Sequence, residues 1–472
     1  MRRQLNILAL ACLSLSGCSQ PADRPNIVVI VLDTVRRDAT GLEANEHWGE
    51  NTPHLDRLAG ESTRFTRAFS AAPWTVPSHA SMFTGQLPSE HGCTFTNTKL
   101  SGEVETMAEL LAAEGYATAA FFSNPWLTDR ATGLLRGFET RREAVIGGLG
   151  KLTSARGDQG GHETVANVAE WLDQRPDGKP FLLFVNFLEA HLPYDPPDHY
   201  RASHLGDLAP DEVVSIQRGH EINAGAGDLD TAELESIRRL YCGDVNHADR
   251  MLSRLLRELK LRDVFADSVV VVTSDHGENL GEYGLIDHQF SVEESLLAVP
   301  LVVRAPAYMA AGERSDLVMT TDIFATVLEV AGVSHGARLH SVSLTAAPDE
   351  PELRSVIGEY AGPSAALGEV LTALNPEREI EVLLAPRRTL RMGELRLTAV
   401  GGAPPMLHDM AEDPDQRRDI AADHGDLAHR LEVLLQASSA ETGGRPVEDS
   451  SVEPSSLDEE TRRQLEALGY VR

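Results

Sequence analysis

The run NIVVIVL at residues 26–32 is apolar at every position after the first, mostly β-branched, and leads directly into Asp33. Seven residues are too few for an ordinary buried helix. The absence of any apolar/polar alternation implies a strand covered on both faces. A second run, SVVVVT at 268–273, leads into Ser274, Asp275 and His276. Strands of this kind belong to parallel sheets sheathed by helices, and such sheets hold their ligands just beyond the carboxyl ends of the strands. The chain therefore delivers two carboxylates and an imidazole to one edge of a sheet.

Between these runs, helical and strand-like patterns alternate. Helices are expected at 106–115, 163–172 and 251–259, and strands at 117–122 and 181–187. This alternation predicts an α/β fold with a doubly wound, mostly parallel sheet flanked by helices. At 472 residues the chain exceeds one ordinary domain. The main α/β domain is assigned to 26–340. A smaller α+β domain follows at 341–438, with strands at 355–359 and 394–400 and a helix at 426–435. Residues 439–472 are read as a linker with one short terminal helix at 460–468. The Gly-, Asp- and Ala-rich residues 201–230 read as a surface excursion beside the substrate mouth.

A net charge of -30 argues against general affinity for nucleic acid or an anionic lipid surface, and 5% aromatic residues offer few platforms for stacking bases. Arg2 and Arg3, the apolar stretch 5–15 and Ser16-Gly17-Cys18 read as a signal peptide over 1–17, too short to span a bilayer. Leu15-Ser16-Gly17-Cys18 resembles the bacterial lipobox, which implies cleavage before Cys18, acylation of its sulfur and a tether at 18–25. The expected location is the periplasmic face of the cell envelope, held through the N-terminal lipid. Ser19 stands where an aspartate would resemble an inner-membrane retention signal, so an outer-membrane address is favoured in a cell that has one. With Cys12 in the signal and Cys18 lipidated, Cys93 and Cys242 form no disulfide framework and lack metal-type spacing.

Five stretches in order carry a family resemblance. They are Pro25-Asn26-Ile27-Val28-Val29-Ile30 running to Asp33; Thr52-Pro53-His54-Leu55-Asp56-Arg57-Leu58-Ala59; Thr75-Val76-Pro77-Ser78-His79-Ala80-Ser81-Met82-Phe83-Thr84-Gly85; Ser274-Asp275-His276-Gly277-Glu278 with Leu280-Gly281-Glu282; and Leu407-His408-Asp409 through Glu412-Asp413-Pro414. Over 25–472 the chain resembles the sulfatase branch of the alkaline phosphatase superfamily. The third stretch lies over the signature C-x-P-S-R-A-S-x-x-T-G. The resemblance implies hydrolysis of a sulfate or phosphate ester, with one divalent metal held by Asp33, Asp275, His276 and the Thr75 oxygen.

Three positions depart from the family pattern. Thr75 replaces the cysteine or serine that becomes formylglycine, and a secondary alcohol cannot yield that aldehyde. His79 replaces an arginine, and Thr34 replaces the second of two paired aspartates. With one anionic ligand fewer, calcium is less secure, and zinc or manganese suits the set at least as well.

Each candidate has a functional reading and a plainer one. Thr75, made acidic by a metal, would attack sulfur or phosphorus; otherwise it caps the helix that follows. His191, just past the strand at 181–187, matches the family histidine facing the leaving group and would be a general acid; otherwise it is loop polarity. His288, twelve residues after His276, would touch the bound anion or hold a second metal, or be loop polarity too. His79 would orient Thr75 or bind the anion. Arg36 and Arg37 read as a solvated helix face, Asp322 as a helix N-cap and Asp249 as structural.

The expected function is that of a lipid-anchored, metal-dependent ester hydrolase working through a Thr75 covalent intermediate. Its partners would be sulfated or phosphorylated small molecules, glycans or lipids. Two rivals stand beside it: a phosphodiesterase or phosphotransferase of the same superfamily, and a catalytically inactive anion-binding lipoprotein.

Overall fold

The structure is a computed structural model, described over residues 24–43, 48, 51–144, 157–206, 214–227, 229–336, 340–346 and 354–440. The expected signal peptide, the expected lipidation site Cys18 and the helix expected at 460–468 lie outside the described residues. Among the described residues, no helix is long and apolar enough to cross a membrane.

An eight-stranded sheet organises the chain. Its strands are β1 (Asn26–Leu32), β2 (Thr63–Phe69), β3 (Ala117–Phe122), β4 (Thr140–Glu143), β5 (Phe181–Phe187), β6 (Ser268–Thr273), β9 (Leu301–Arg304) and β10 (Gly312–Met319). The spatial order is β10-β2-β9-β6-β1-β5-β3-β4. β1 runs parallel to both β5 and β6, while β9 is antiparallel to β2 and β6. The two strands β7 (Asn279–Leu280) and β8 (Ile286–Asp287) form a separate small hairpin.

β1 shows why its sequence lacks alternation. Ile27, Val29 and Val31 enter one hydrophobic core, while Val28, Ile30 and Leu32 enter the other. Successive strand residues point to opposite faces, so a strand sandwiched between two helical layers must be apolar at every position. Cutting Ile30, fully buried, back to alanine would cost ~2–5 kcal/mol. One helical layer includes Thr75–Thr84 and Asp322–Val330, the other Gly161–Gln174 and the 31-residue helix Thr231–Leu261.

A four-stranded antiparallel sheet follows, with β11 (Ser355–Tyr360), β12 (Arg387–Met392), β13 (Leu395–Val400) and β14 (Met406–Asp409) in that order. The backbone N–H of Glu359 donates to the Ala71 carbonyl at 2.9 Å, which ties this sheet to the segment leading to Thr75.

Several expectations need correction. The stretch 201–230 contains packed helices, since Asp198–Leu205 and Ile216–Asn223 bury Arg201, Leu205, Ile222 and Asn223. The helix expected at 251–259 is the end of Thr231–Leu261, and the one expected at 426–435 extends over Gly425–Ala440, into the assigned linker. Asp322 does not cap its helix: Thr321 holds that position, and the Asp322 carboxylate accepts from Met319 N, Val342 N and Arg354. Asp249 is structural, accepting from His54 N and Leu55 N at the start of the helix Pro53–Ala59. Cys93 and Cys242 are both buried free thiols.

Candidate active site

The carboxyl ends of β6, β1, β5 and β3, adjacent in that order, frame one crevice. Asp33 follows β1, and Asp275 and His276 follow β6. All three are fully buried, and the atoms they can offer a metal lie within 4.8 Å of one another. Asp33 Oδ2 accepts from the amides of Asn124 at 2.9 Å and Asn186 at 2.8 Å, whereas Oδ1 has no hydrogen-bond partner. Asp275 Oδ1 accepts from the backbone of Thr34 at 3.2 Å and of His276 at 3.0 Å, which leaves Oδ2 without a donor. His276 Nδ1 is 2.9 Å from the Gly277 carbonyl, so the proton is assigned there and Nε2 presents a lone pair.

Buried carboxylate oxygens without donors cost free energy unless something positive meets them. Two oxygens and one imidazole nitrogen, each already anchored through its other end, have the chemistry of a divalent-metal cradle. Burial, and next the charge of His288, pulls His276 down to about 3, so the ring stays neutral and its Nε2 is free to meet a cation. Thr34, in the left-handed region at φ 59°, gives the site only its backbone N–H; its hydroxyl oxygen is buried without a partner.

Thr75 is the first residue of its helix, and Trp74 is the N-cap, without a side-chain cap bond. The plainer reading of Thr75 as a cap therefore fails. Its Oγ1 accepts from Asn124 Nδ2 at 3.2 Å, the same nitrogen that serves Asp33. The hydroxyl oxygen thus sits beside the cradle at the positive end of a helix, where developing negative charge is stabilised. Ser78 Oγ donates to the Asp275 carbonyl at 2.7 Å and pins the helix to the end of β6.

His79 is fully buried, packed edge-on against Phe83 and Phe184. Its Nδ1 is 2.9 Å from the Thr75 carbonyl and 3.5 Å from Asp275 Oδ2. It positions Thr75 through the backbone, not through the hydroxyl.

His191 and His288 come together, with ring centroids 4.9 Å apart, and His288 lies 4.6 Å from the ring of His276. The Nδ1–H of His191 donates to the Leu192 carbonyl at 2.6 Å. Burial and the neighbouring His288 pull His191 down to about 4, so it is neutral at pH 7. His288 behaves oppositely. Burial works against its charge, but Asp287 at 2.7 Å and Glu278 at 3.5 Å outweigh that and raise it well above the ordinary value. Of the two, His288 carries the proton.

Arg36 was expected on a solvated helix face. It is instead 4% exposed, in irregular chain, bonded to Asp38, Glu282 and the Glu278 carbonyl. It braces the backbone behind the site.

The sequence reading missed Asn124, Asn186, Ser78 and Asp287. Asn186 had a signal, being a lone amide inside the apolar strand β5. Asn124 had a fainter one, since it stands just past β3 as Asp33 stands just past β1.

Three comparisons bear on this arrangement. The family model described as Sulfatase matches residues 25–333. The arylsulfatase of Clostridium perfringens is 24% identical over 376 residues, covering 68% of this chain and 78% of that protein. Among solved structures, the phosphonate monoester hydrolase of Agrobacterium radiobacter superposes with a TM-score of 0.70 at 20% identity, covering 89% of this chain and 96% of the other. A structure in complex with its substrate D-glucosamine-2-N,6-O-disulfate superposes with a TM-score of 0.69 at 19% identity, covering 90% and 99%.

Proposed function

Because the chain belongs to the sulfatase family, its match spanning well over half of its residues, we propose that it hydrolyses a sulfate ester, or a phosphorus ester of equal charge, with Thr75 as nucleophile. The observation that carries this reading is the meeting of Asp33 Oδ1, Asp275 Oδ2 and His276 Nε2, all buried and without hydrogen bonds, beside the Thr75 hydroxyl. A divalent metal held by Asp33, Thr75, Asp275 and His276 would acidify that hydroxyl and neutralise the ester oxygens.

Asn124 donates into Oγ1 and holds the oxygen toward the crevice while its proton passes to water. Oγ1 forms a bond to sulfur or phosphorus as the bond to the leaving oxygen breaks. The departing alkoxide takes a proton from the His288–His191 pair, with His288 as its reservoir. Water then attacks the Thr75 ester and gives a proton to the His288–His191 pair, which restores it, while Oγ1 leaves and takes its own proton back from solvent. Since no aldehyde forms on threonine, release of the group depends on this second displacement.

Charge favours esters with a single negative charge. Two carboxylates balance one divalent metal, and the His288 cation is itself paired with Asp287, so no net positive charge is left among these side chains for a dianionic phosphate monoester. Sulfate monoesters, phosphate diesters and phosphonate monoesters fit. The similar fold seen in complex with D-glucosamine-2-N,6-O-disulfate supports a sulfated sugar as the organic part. We place the enzyme on the cell envelope through a lipid on Cys18.

The test compares the parent with Thr75→Ala on aryl sulfate, aryl phosphate and bis-aryl phosphate under zinc, manganese and calcium. Thr75-dependent turnover of the sulfate or the diester supports the reading. Turnover of the aryl phosphate above both removes the charge argument, and no Thr75-dependent turnover leaves an anion-binding lipoprotein.

A further inference from the structure

A second set of ligating groups stands away from Thr75. Asp158 Oδ1 is 3.0 Å from His162 Nδ1 and 3.3 Å from His247 Nε2, and the ligand atoms of the three lie within 4.8 Å of one another. Two imidazoles from separate helices, Gly161–Gln174 and Thr231–Leu261, thus converge on one carboxylate oxygen. Their ring centroids are 5.6 Å apart. The side chains of Asp158 and His247 are only 3% and 2% exposed, while that of His162 is 38% exposed and gives an ion access from solvent.

A separate observation calls for positive charge here. Glu189 is fully buried, and its Oε1 accepts from the backbone of Gly161, next to His162, at 2.7 Å. Its Oε2 has no hydrogen-bond partner. Burial first, and the charge of Asp158 next, push this carboxyl up to about 8. A divalent cation on Asp158 would offset the desolvation of that carboxylate and of the Glu189 carboxyl behind it.

We propose that Asp158, His162 and His247 form a second metal site, separate from Asp33, Asp275 and His276, that takes a zinc-class divalent cation. Two imidazoles and a carboxylate suit zinc far better than calcium or magnesium, which want mostly oxygen ligands. The site bears on the crevice through Gln159, which lies between two of the ligands. Its amide donates to the His191 carbonyl at 2.8 Å and to that of Glu189 at 3.3 Å. An ion bound here ties the helices together and fixes the segment that positions His191.

The test uses the full-length chain in detergent, with Asp275→Asn to disable the first site, stripped by chelator and titrated with cobalt and then zinc. The expected result is one equivalent of zinc per chain and visible cobalt absorption of a tetrahedral nitrogen–oxygen site. Adding His162→Ala, at a surface position, weakens zinc binding by at least about tenfold, as loss of even an outer partner does, with the melting curve of the metal-free protein unchanged. Zinc affinity unaltered by His162→Ala, or no zinc held in the Asp275→Asn background, overturns the proposal. Neither result depends on whether Thr75 is a nucleophile.

Discussion

The amide nitrogen of Asn124 stands 3.2 Å from the hydroxyl oxygen of Thr75 and 2.9 Å from Asp33 Oδ2, so one side chain sets the spacing between the proposed nucleophile and the proposed metal ligand. Thr75→Ala is expected to abolish turnover, a loss of at least ~10³. Asn124→Ala keeps the nucleophile but frees its rotamer and leaves Asp33 Oδ2 with one donor; kcat should fall by roughly 10–100-fold with a smaller change in KM. Steady-state kinetics on the preferred ester check both. An Asn124→Ala enzyme with parental kcat would mean that Thr75 is positioned by other groups.

The metal cradle makes opposite demands on the empty and filled protein. Asp275 is buried, with one oxygen lacking a donor, and burial is the main influence raising its carboxyl. Asp275→Asn is therefore expected to leave the metal-free protein as stable as the parent or more so. The variant should lose most of the rise in Tm that added metal gives the parent through linkage. Thermal melts with and without metal, together with elemental analysis, test this. A metal-free variant markedly less stable than the parent would show that Asp275 acts mainly in packing.

His288 is held protonated by Asp287 and Glu278, and it faces His191. Its replacement by glutamine keeps a hydrogen-bonding amide but removes the mobile proton and the positive charge. The expected loss in kcat/KM is about 10²–10³. That loss should be smaller for an ester whose leaving group is a weakly basic nitrophenol, which needs no proton. An equal loss for good and poor leaving groups would assign His288 to anion binding alone.

A pH effect on stability follows from His91, away from the site. Its Nδ1 accepts from Cys93 N at 3.1 Å and its Nε2 lies 3.0 Å from Ser81 Oγ, so the ring has no place for a second proton. Burial pulls it down from 6.5 to about 3. The unfolded chain takes up this proton near pH 6.5 and the folded protein does not, so stability falls as pH drops from about 6.5 to about 3, by at most ~1.4 kcal/mol per pH unit. Urea unfolding of the parent and His91→Gln across that window should give a shallower slope for the variant. Equal slopes would mean that other groups dominate acid unfolding.

The central strands were legible because their constraint is local. Covering both faces of β1 and β6 demands an unbroken apolar run, and the sequence carries one in each place. The outermost two strands on the β10 side of the sheet were not legible. β2, TRFTRAF, and β10, GERSDLVM, carry arginine, aspartate and glutamate on partly exposed positions, and read alone they resemble loop or helix surface. The C-terminal sheet was half visible, since β12 places four partly exposed residues among its six.

By itself the sequence determined the doubly wound core and the sheet edge at which Asp33, Thr75, Asp275 and His276 come together. Those follow from short-range pattern, and each lies just past or beside an element whose type its neighbours dictate. Only the tertiary structure decided what each polar group does. Asn124 reaches Asp33 across 91 residues, Arg36 is buried against Glu278 and Glu282 over 240 residues away, and Asp158 meets His247 across 89. A polar side chain's role depends on which partners the fold brings to it, and no local period records that choice.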